Sequence, residues 1–412
     1  MRLRHIILIA ISVCLGAGRS AARDLTVAAD GSSEYKTIQS AVDAVPTNNR
    51  ERVVISIKNG TYPEQVRIHN SFLTLRGEDQ KKTRIVASVD SGACPIAPGQ
   101  SVEEHCSTLV AEGTDLVFED FTAENPYKPD KGKGAALSVV GDSTRALLHN
   151  VDIVGYGGDT FVLSARRSQL GSGGDYYANH VYVSGTYHII VPRGTAYVVN
   201  SKFWCLDGLP NCLFSEGVTR ETDKLVIRDS VIDGAEPFGL GTYFRDTAWY
   251  FIDDTISSKV RPDGQIRRVP AKNYTMKWGE GRIYFAGNKA PDYPWLKDNI
   301  DQSPAKTAAA VTAAWTFPEW NPESTVGPVV REVKDGGGRI RVAFSESVTV
   351  RGTPCILLAS GAKALYESGS GSDTLSFRLS HPGKVKKIEL QGGAIIASAA
   401  SLHERNANLA LP

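Results

Sequence analysis

Short β-rich runs, each carrying a polar residue at one fixed phase, recur through the middle of this chain. Three follow in succession: Leu147-Leu148-His149-Asn150-Val151-Asp152-Ile153, Tyr176-Tyr177-Ala178-Asn179-His180-Val181-Tyr182 and Tyr197-Val198-Val199-Asn200-Ser201-Lys202-Phe203. Related runs end on Asp120, Asp229 and Asp254, so the polar marker steps from 120 to 150, 179, 200, 229 and 254. A period in the twenties with short strands predicts a parallel β-helix, in which each coil buries its inward face on the next. The Leu-x-x-Leu-x-Leu pattern of leucine-rich repeats is absent. An antiparallel sandwich would show hairpin signals every 8–12 residues or so, and this region lacks them.

Phase then points to chemistry. Asp159 lies nine residues beyond Asn150, and His188 nine beyond Asn179. If each marker opens a coil, the two side chains occupy the same place on consecutive coils, about 4.8 Å apart. Asp159 and His188 are therefore the candidate reactive pair.

The flanks read differently. Ile38, Ala41, Val42 and Val45 have helical spacing before Pro46, and such a helix would cover the open end of a strand stack. Strand-like runs follow at 53–57 and 73–76. Alanine-rich 304–315 predicts one helix on the outside of the stack. Pro318, Pro322 and Pro328 punctuate the passage out of the stack, with a linker at 321–328. From 329 to 412 the texture changes to alternating strands, a second all-β domain of about 80 residues.

Composition narrows the classes. Hydrophobic content of 42% and charged content of 22% are those of a globular protein. Residues 1–22 read as a secretory signal, with Arg2 and Arg4, an apolar run from Ile6 to Ala17, and small Ser20-Ala21-Ala22. No later segment reads as a membrane span, so the expected location is secreted, extracellular or periplasmic. The formal charge is +1, and removing the three arginines of 1–22 leaves −2. A nearly neutral surface gives no electrostatic case for nucleic acid or anionic membrane. Export permits disulfides, and Cys94–Cys106 and Cys205–Cys212 are candidate local pairs, free buried thiols being the alternative. Cys355 is left over as a core residue. No cysteine has zinc-ligand spacing, and no metal or nucleotide motif appears, so no cofactor is expected.

Much of 24–320 resembles the pectin methylesterases, or pectinesterases. The resemblance rests on Ala29-Asp30-Gly31 with Tyr35-Lys36-Thr37-Ile38-Gln39-Ser40-Ala41-Val42, on Asn59-Gly60-Thr61-Tyr62-Pro63-Glu64, and on Ala136-Leu137-Ser138-Val139-Val140-Gly141-Asp142. Gly155-Tyr156-Gly157-Gly158-Asp159-Thr160 and Leu240-Gly241 extend it. Tyr293-Pro294-Trp295-Leu296-Lys297-Asp298-Asn299 and Ala313-Ala314-Trp315-Thr316-Phe317 suggest the bacterial branch. The resemblance implies a right-handed parallel β-helix over 23–320 that removes methyl groups from polygalacturonate esters. In that family one aspartate attacks the carbonyl and a second is acid and base. Glutamines stabilise the oxyanion, and an arginine holds the nucleophile.

Carried across residue by residue, Asp159 matches the acid/base aspartate. Gly158 stands where the neighbouring glutamine belongs, and Lys133 falls on the other glutamine. The nucleophile motif Gly-Thr-Val-Asp-Phe-Ile reads Gly185-Thr186-Tyr187-His188-Ile189-Ile190, followed by matching Arg193 and Gly194. The motif Leu-Gly-Arg-Pro-Trp reads Leu240-Gly241-Thr242-Tyr243-Phe244. The expected chemistry is therefore an Asp159–His188 dyad: the carboxylate orients the imidazole, which deprotonates a water or hydroxyl. Lys133 is the candidate oxyanion or galacturonate donor, and Arg193 or Arg245 a substitute for the lost arginine. Tyr156, Phe161, Tyr187, Tyr243 and Phe244 are candidate sugar-stacking rings. Three alternatives stand beside this. His188 is a structural histidine, or a serine (Ser164, Ser168 or Ser215) attacks, or the chain binds pectin without catalysis. The last domain resembles bacterial immunoglobulin-like modules at Arg341-Val342-Ala343-Phe344-Ser345-Glu346-Ser347-Val348-Thr349-Val350. The expected architecture is thus all-β: a β-helix followed by an immunoglobulin-like β-sandwich, with a pectic polysaccharide as partner.

Overall fold

Successive side chains point to opposite faces of each strand, and the fold stacks the inward ones into continuous columns. The computed structural model describes residues 24–91, 93, 106–128, 132–140, 145–164, 173–209, 211–215, 217, 220–270, 272, 274–324, 330–336, 338–358, 363–379, 385–389 and 394–397. The leader read at 1–22, together with Cys94, Ser168 and Pro328, lies outside the described residues.

Residues 24–286 wind as a parallel β-helix. One face runs through Asp24–Val27, Val53–Ile57, Leu73–Gly77, Leu116–Asn125, Arg145–Gly155, Gly174–Asn179, Gly194–Val199, Leu225–Arg228, Trp249–Ile252 and Ile283–Ala286, each pairing in parallel with the next. Register aligns Ile55, Leu75, Phe118, Leu148, Ala178, Val198, Ile227, Phe251 and Phe285 in one inward column. These side chains are buried in the main core. Each large one contributes about 1.5–3 kcal/mol by leaving water. A second face carries Ala135–Val140, Phe161–Ser164 and Ile190–Pro192, continued by Leu213–Ser215 and Gly241–Tyr243.

The corners use a left-handed backbone. Asp120, Asn150, His180, Asn200, Asp229 and Asp253 have φ of 59°, 54°, 55°, 51°, 49° and 56°. Register places all six at one corner, coil after coil. The polar marker is therefore a turning residue, since Asn, Asp and His tolerate this conformation better than other side chains. Two expected markers shift by one. Asn179 ends a strand opposite His149 and leaves the corner to His180, while Asp253 takes the corner in place of Asp254. Asn150 Nδ2 donates to Asp120 Oδ1 (2.6 Å), and Asn200 Nδ2 to Asn179 Oδ1 (3.2 Å), so neighbouring coils are also tied by side chains.

The amphipathic segment near 35–45 is the helix Ile38–Asp43, burying Ile38, Ala41 and Val42. Thr37 caps it, and both Glu64 carboxylate oxygens accept its first free N–H groups. The single helix expected over 304–315 does not form. That stretch is the short 3₁₀ turn Ala308–Ala310 followed by Ala313–Thr316. Thr307 and Thr312 each turn a hydroxyl onto the backbone three residues on, restarting the chain twice. Packing completes the override. Val311, Ala313, Trp315 and Phe317 cover an outward column of Tyr177, Tyr197, Val226 and Tyr250, and parallel Tyr177 and Tyr197 rings lie 5.9 Å apart.

Residues 330–397 form a separate seven-stranded antiparallel sheet with its own core of Val342, Phe344, Ile356, Leu375 and Phe377. Its longest strand, Arg339–Arg351, pairs through its first half with Val330–Gly336 and Ser372–Leu379, and through its second with Ala394–Ala397. Cys355 is a buried free thiol in this region. Among the described residues, no helix is long and apolar enough to cross a membrane.

Candidate active site

A second corner, just before the second face, brings four polar side chains into line. Lys133 bridges in parallel to Gly158, and Phe161 pairs with Leu137 on one side and Ile190 on the other. The coils are laced by Gly158 N–H to Gly132 C=O (3.0 Å), Asp159 N–H to Tyr187 C=O (3.1 Å) and His188 N–H to Asn211 C=O (3.0 Å). Lys133, Asp159, His188 and Asn211 therefore succeed one another along the helix axis. Asp159 and His188 both hold a left-handed backbone, with φ of 54° and 49°.

Their side chains connect in the same order. Lys133 Nζ lies 2.6 Å from Asp159 Oδ2, His188 Nδ1 lies 3.1 Å from Asp159 Oδ1, and Asn211 Nδ2 reaches His188 Nε2. Asp159 is only 4% exposed. Burial alone would push its carboxyl up, but the His188 hydrogen bond and the Lys133 charge outweigh that and hold it below the usual carboxylate range. Asp159 is thus an ionised acceptor with both oxygens engaged. The imidazole stacks on Phe214 (centroids 4.1 Å, planes 17° apart) and meets the Tyr187 ring edge-on (5.0 Å). Phe214, Val162, Val191 and Ala135 form a small apolar cluster, with Phe244 packed against it.

The other expected site residues fall at graded distances. Gly158 has its Cα under the Tyr187 ring: a Cβ there would come within 2.3 Å of that ring, so no larger side chain fits while Tyr187 stays in place. Phe244 reaches the site through Phe214, edge to face at 4.9 Å. Thr242 aligns with Phe214 on the next coil, and its buried Oγ1 has no hydrogen-bond partner. Tyr156 is half-buried in the turn after Arg145–Gly155. Arg193 is buried where the chain leaves Ile190–Pro192, bridging to Gly217, one strand length away from His188. Arg245 lies over the Tyr274 ring (5.6 Å). Ser215 accepts from Thr247 Oγ1 (3.0 Å), an arrangement that supplies no base for a serine nucleophile. Of the other rings, Phe161 and Tyr243 are buried in the main core.

Neither Asn211 nor Phe214 is marked by any sequence motif. Asn211 precedes Cys212, which is disulfide-bonded to Cys205 with Cα atoms 6.0 Å apart. Cys106 is also disulfide-bonded. Among the described residues, no three His, Cys, Asp or Glu side chains group as metal ligands.

Residues 24–212, which hold this whole corner, match the family model described as Pectinesterase. The match is to the pectinesterase family. A pectinesterase of Petunia integrifolia is 34% identical over 179 residues, 43% of this chain and 43% of that protein. A pectinesterase/pectinesterase inhibitor of Brassica campestris is 30% identical over 331 residues, 73% of this chain and 53% of that one. The chain thus spans about half or less of the length of these curated pectinesterase relatives. The pectin methylesterase structure from Erwinia chrysanthemi superposes with a TM-score of 0.55 at 20% identity, covering 72% of this chain and 98% of that one. That pectinesterase likeness is one of fold, the right-handed parallel β-helix.

Proposed function

We propose that this protein is a carboxylic-ester hydrolase acting on methyl esters of polygalacturonate through an atypical centre of Asp159 and His188. The observation that carries the reading is the unbroken run Lys133–Asp159–His188–Asn211 within the pectinesterase-matching segment. A solved pectin methylesterase of this fold, 20% identical, is in complex with a hexasaccharide, which supports a pectic chain as the substrate class. The disulfide at Cys205–Cys212 fits an oxidising compartment outside the cytoplasm. The antiparallel C-terminal sheet is read as an immunoglobulin-like module with no chemistry of its own.

In the proposed reaction, a water oxygen bonds to the ester carbonyl carbon as His188 Nε2 takes the water's proton. Ionised Asp159 stabilises the imidazolium. The Lys133 ammonium, whose side chain is 38% exposed, faces the developing oxyanion. Collapse of the tetrahedral intermediate breaks the carbon–oxygen bond to the methoxy group. Methanol leaves with the proton that His188 returns.

One observation favours a second reading, a pectin-binding protein without catalysis: His188 Nε2 already meets the Asn211 amide. Methanol release from highly methylesterified polygalacturonan, measured beside binding to the same polymer, separates the two. Release that is lost in His188→Ala and Asp159→Asn supports hydrolysis by the dyad. Unchanged release in His188→Ala overturns it, and binding without any release establishes the second reading.

A further inference from the structure

The Asn211 amide touches His188 but has no part in the proposed hydrolysis. It sits in the loop closed by Cys205 and Cys212. Its backbone carbonyl accepts the His188 N–H (3.0 Å), while its side-chain nitrogen meets His188 Nε2. An amide nitrogen donates and does not accept, so the ring nitrogen it meets must supply the lone pair. A neutral imidazole then carries its proton on Nδ1, where Asp159 Oδ1 waits at 3.1 Å. Phe214 closes one ring face and Tyr187 stands against the edge, so the ring cannot turn over without displacing both.

We infer that Asn211 is a positioning residue, which fixes His188 as the Nδ1–H tautomer and keeps its basic nitrogen closed until the amide turns away. Rotated by half a turn, the same amide presents Oδ1, which accepts from Nε2–H. One residue can therefore partner both the neutral ring and the imidazolium. The titratable groups facing the ring are Asp159, with Lys133 on its far oxygen, and Tyr187. The inference deepens the proposed function but has a readout independent of it.

Two-bond ¹H–¹⁵N correlation spectra of the full chain, labelled at its 8 histidines, give the test, with His188 assigned by its loss in His188→Gln. At neutral pH the expected pattern is a pyrrole-type Nδ1 and a pyridine-type Nε2. In Asn211→Asp the new carboxylate can only accept, so both nitrogens should become pyrrole-type. A wild-type proton on Nε2, or a His188 pattern unchanged in Asn211→Asp, overturns the inference. The wild-type spectrum decides alone should the variant not fold. Methanol release is scored separately: a confirmed tautomer without release leaves this inference standing while the hydrolase reading falls.

Discussion

Two corners of the same β-helix solve one backbone problem with different residues. At the corner of Asp120, Asn150, His180, Asn200, Asp229 and Asp253, the left-handed turn is filled mostly by the side chains that tolerate it best. Side-chain contacts between successive coils there include the amide pairs Asn150–Asp120 and Asn200–Asn179, and exposed Asp229 and Asp253 share the Arg228 guanidinium. At the corner of Asp159 and His188 the turn is equally left-handed, but a lysine, a carboxylate, an imidazole and an amide are strung in sequence and an aromatic ring supports them. The first set could be chosen by conformation alone. The second could not, because a stacked, charged arrangement exceeds what a turn requires. The proposed site rests on that excess of chemistry over conformational need.

The contrast can be broken by substitution. The largest effect is expected at the second corner: Asp159→Asn should lower methanol release by about 10²–10⁴-fold, and should also lower the denaturation midpoint because the buried carboxylate holds Lys133 and His188. Phe214→Ala removes the ring beneath His188 and should cost about 3 kcal/mol in urea unfolding, with a loss of release as well. At the first corner, Asn150→Ala forces a left-handed alanine and drops the bond to Asp120. It should cost about 1–2 kcal/mol, Asn150→Gly less, and neither should alter turnover of the folded protein.

The smallest effect is a pH dependence. Burial raises Asp120 to about 6. A raised folded-state pKa means that stability is fully present below the unfolded value, near 4, and is lost as pH rises through about 6. Asp120→Asn should therefore leave stability unchanged at pH 4 and raise it at pH 8, read from urea midpoints at the two pH values. An equal effect at both would mean that Asp120 acts as a turn residue only.

Much of this was readable before any coordinates. Short β-rich runs around Leu148, Ala178 and Val198 marked the strands, and the recurrence of Asn and Asp marked the coil, because a left-handed corner restricts its occupants. Register was less legible. Asn179 looked like the marker, yet His180 turns the corner, since histidine also tolerates the conformation and sequence alone does not say which of two adjacent polar residues bends. Asp159 and His188 still meet because the stretch from His180 to His188 is one residue shorter than that from Asn150 to Asp159. The run 304–315 misled because alanine propensity is weak against two threonine caps and a column of tyrosines. Asn211 was hidden because its partner is set by stacking between coils, which carries no local pattern.

The bond between Cys205 and Cys212 ends one residue beyond Asn211. In a thiol-rich solution the short loop it closes would regain its freedom, and the amide touching the imidazole would be among the first groups to wander. If Asn211 fixes the His188 tautomer as inferred, reduction of this bond would loosen that control through a covalent link that never touches the ring.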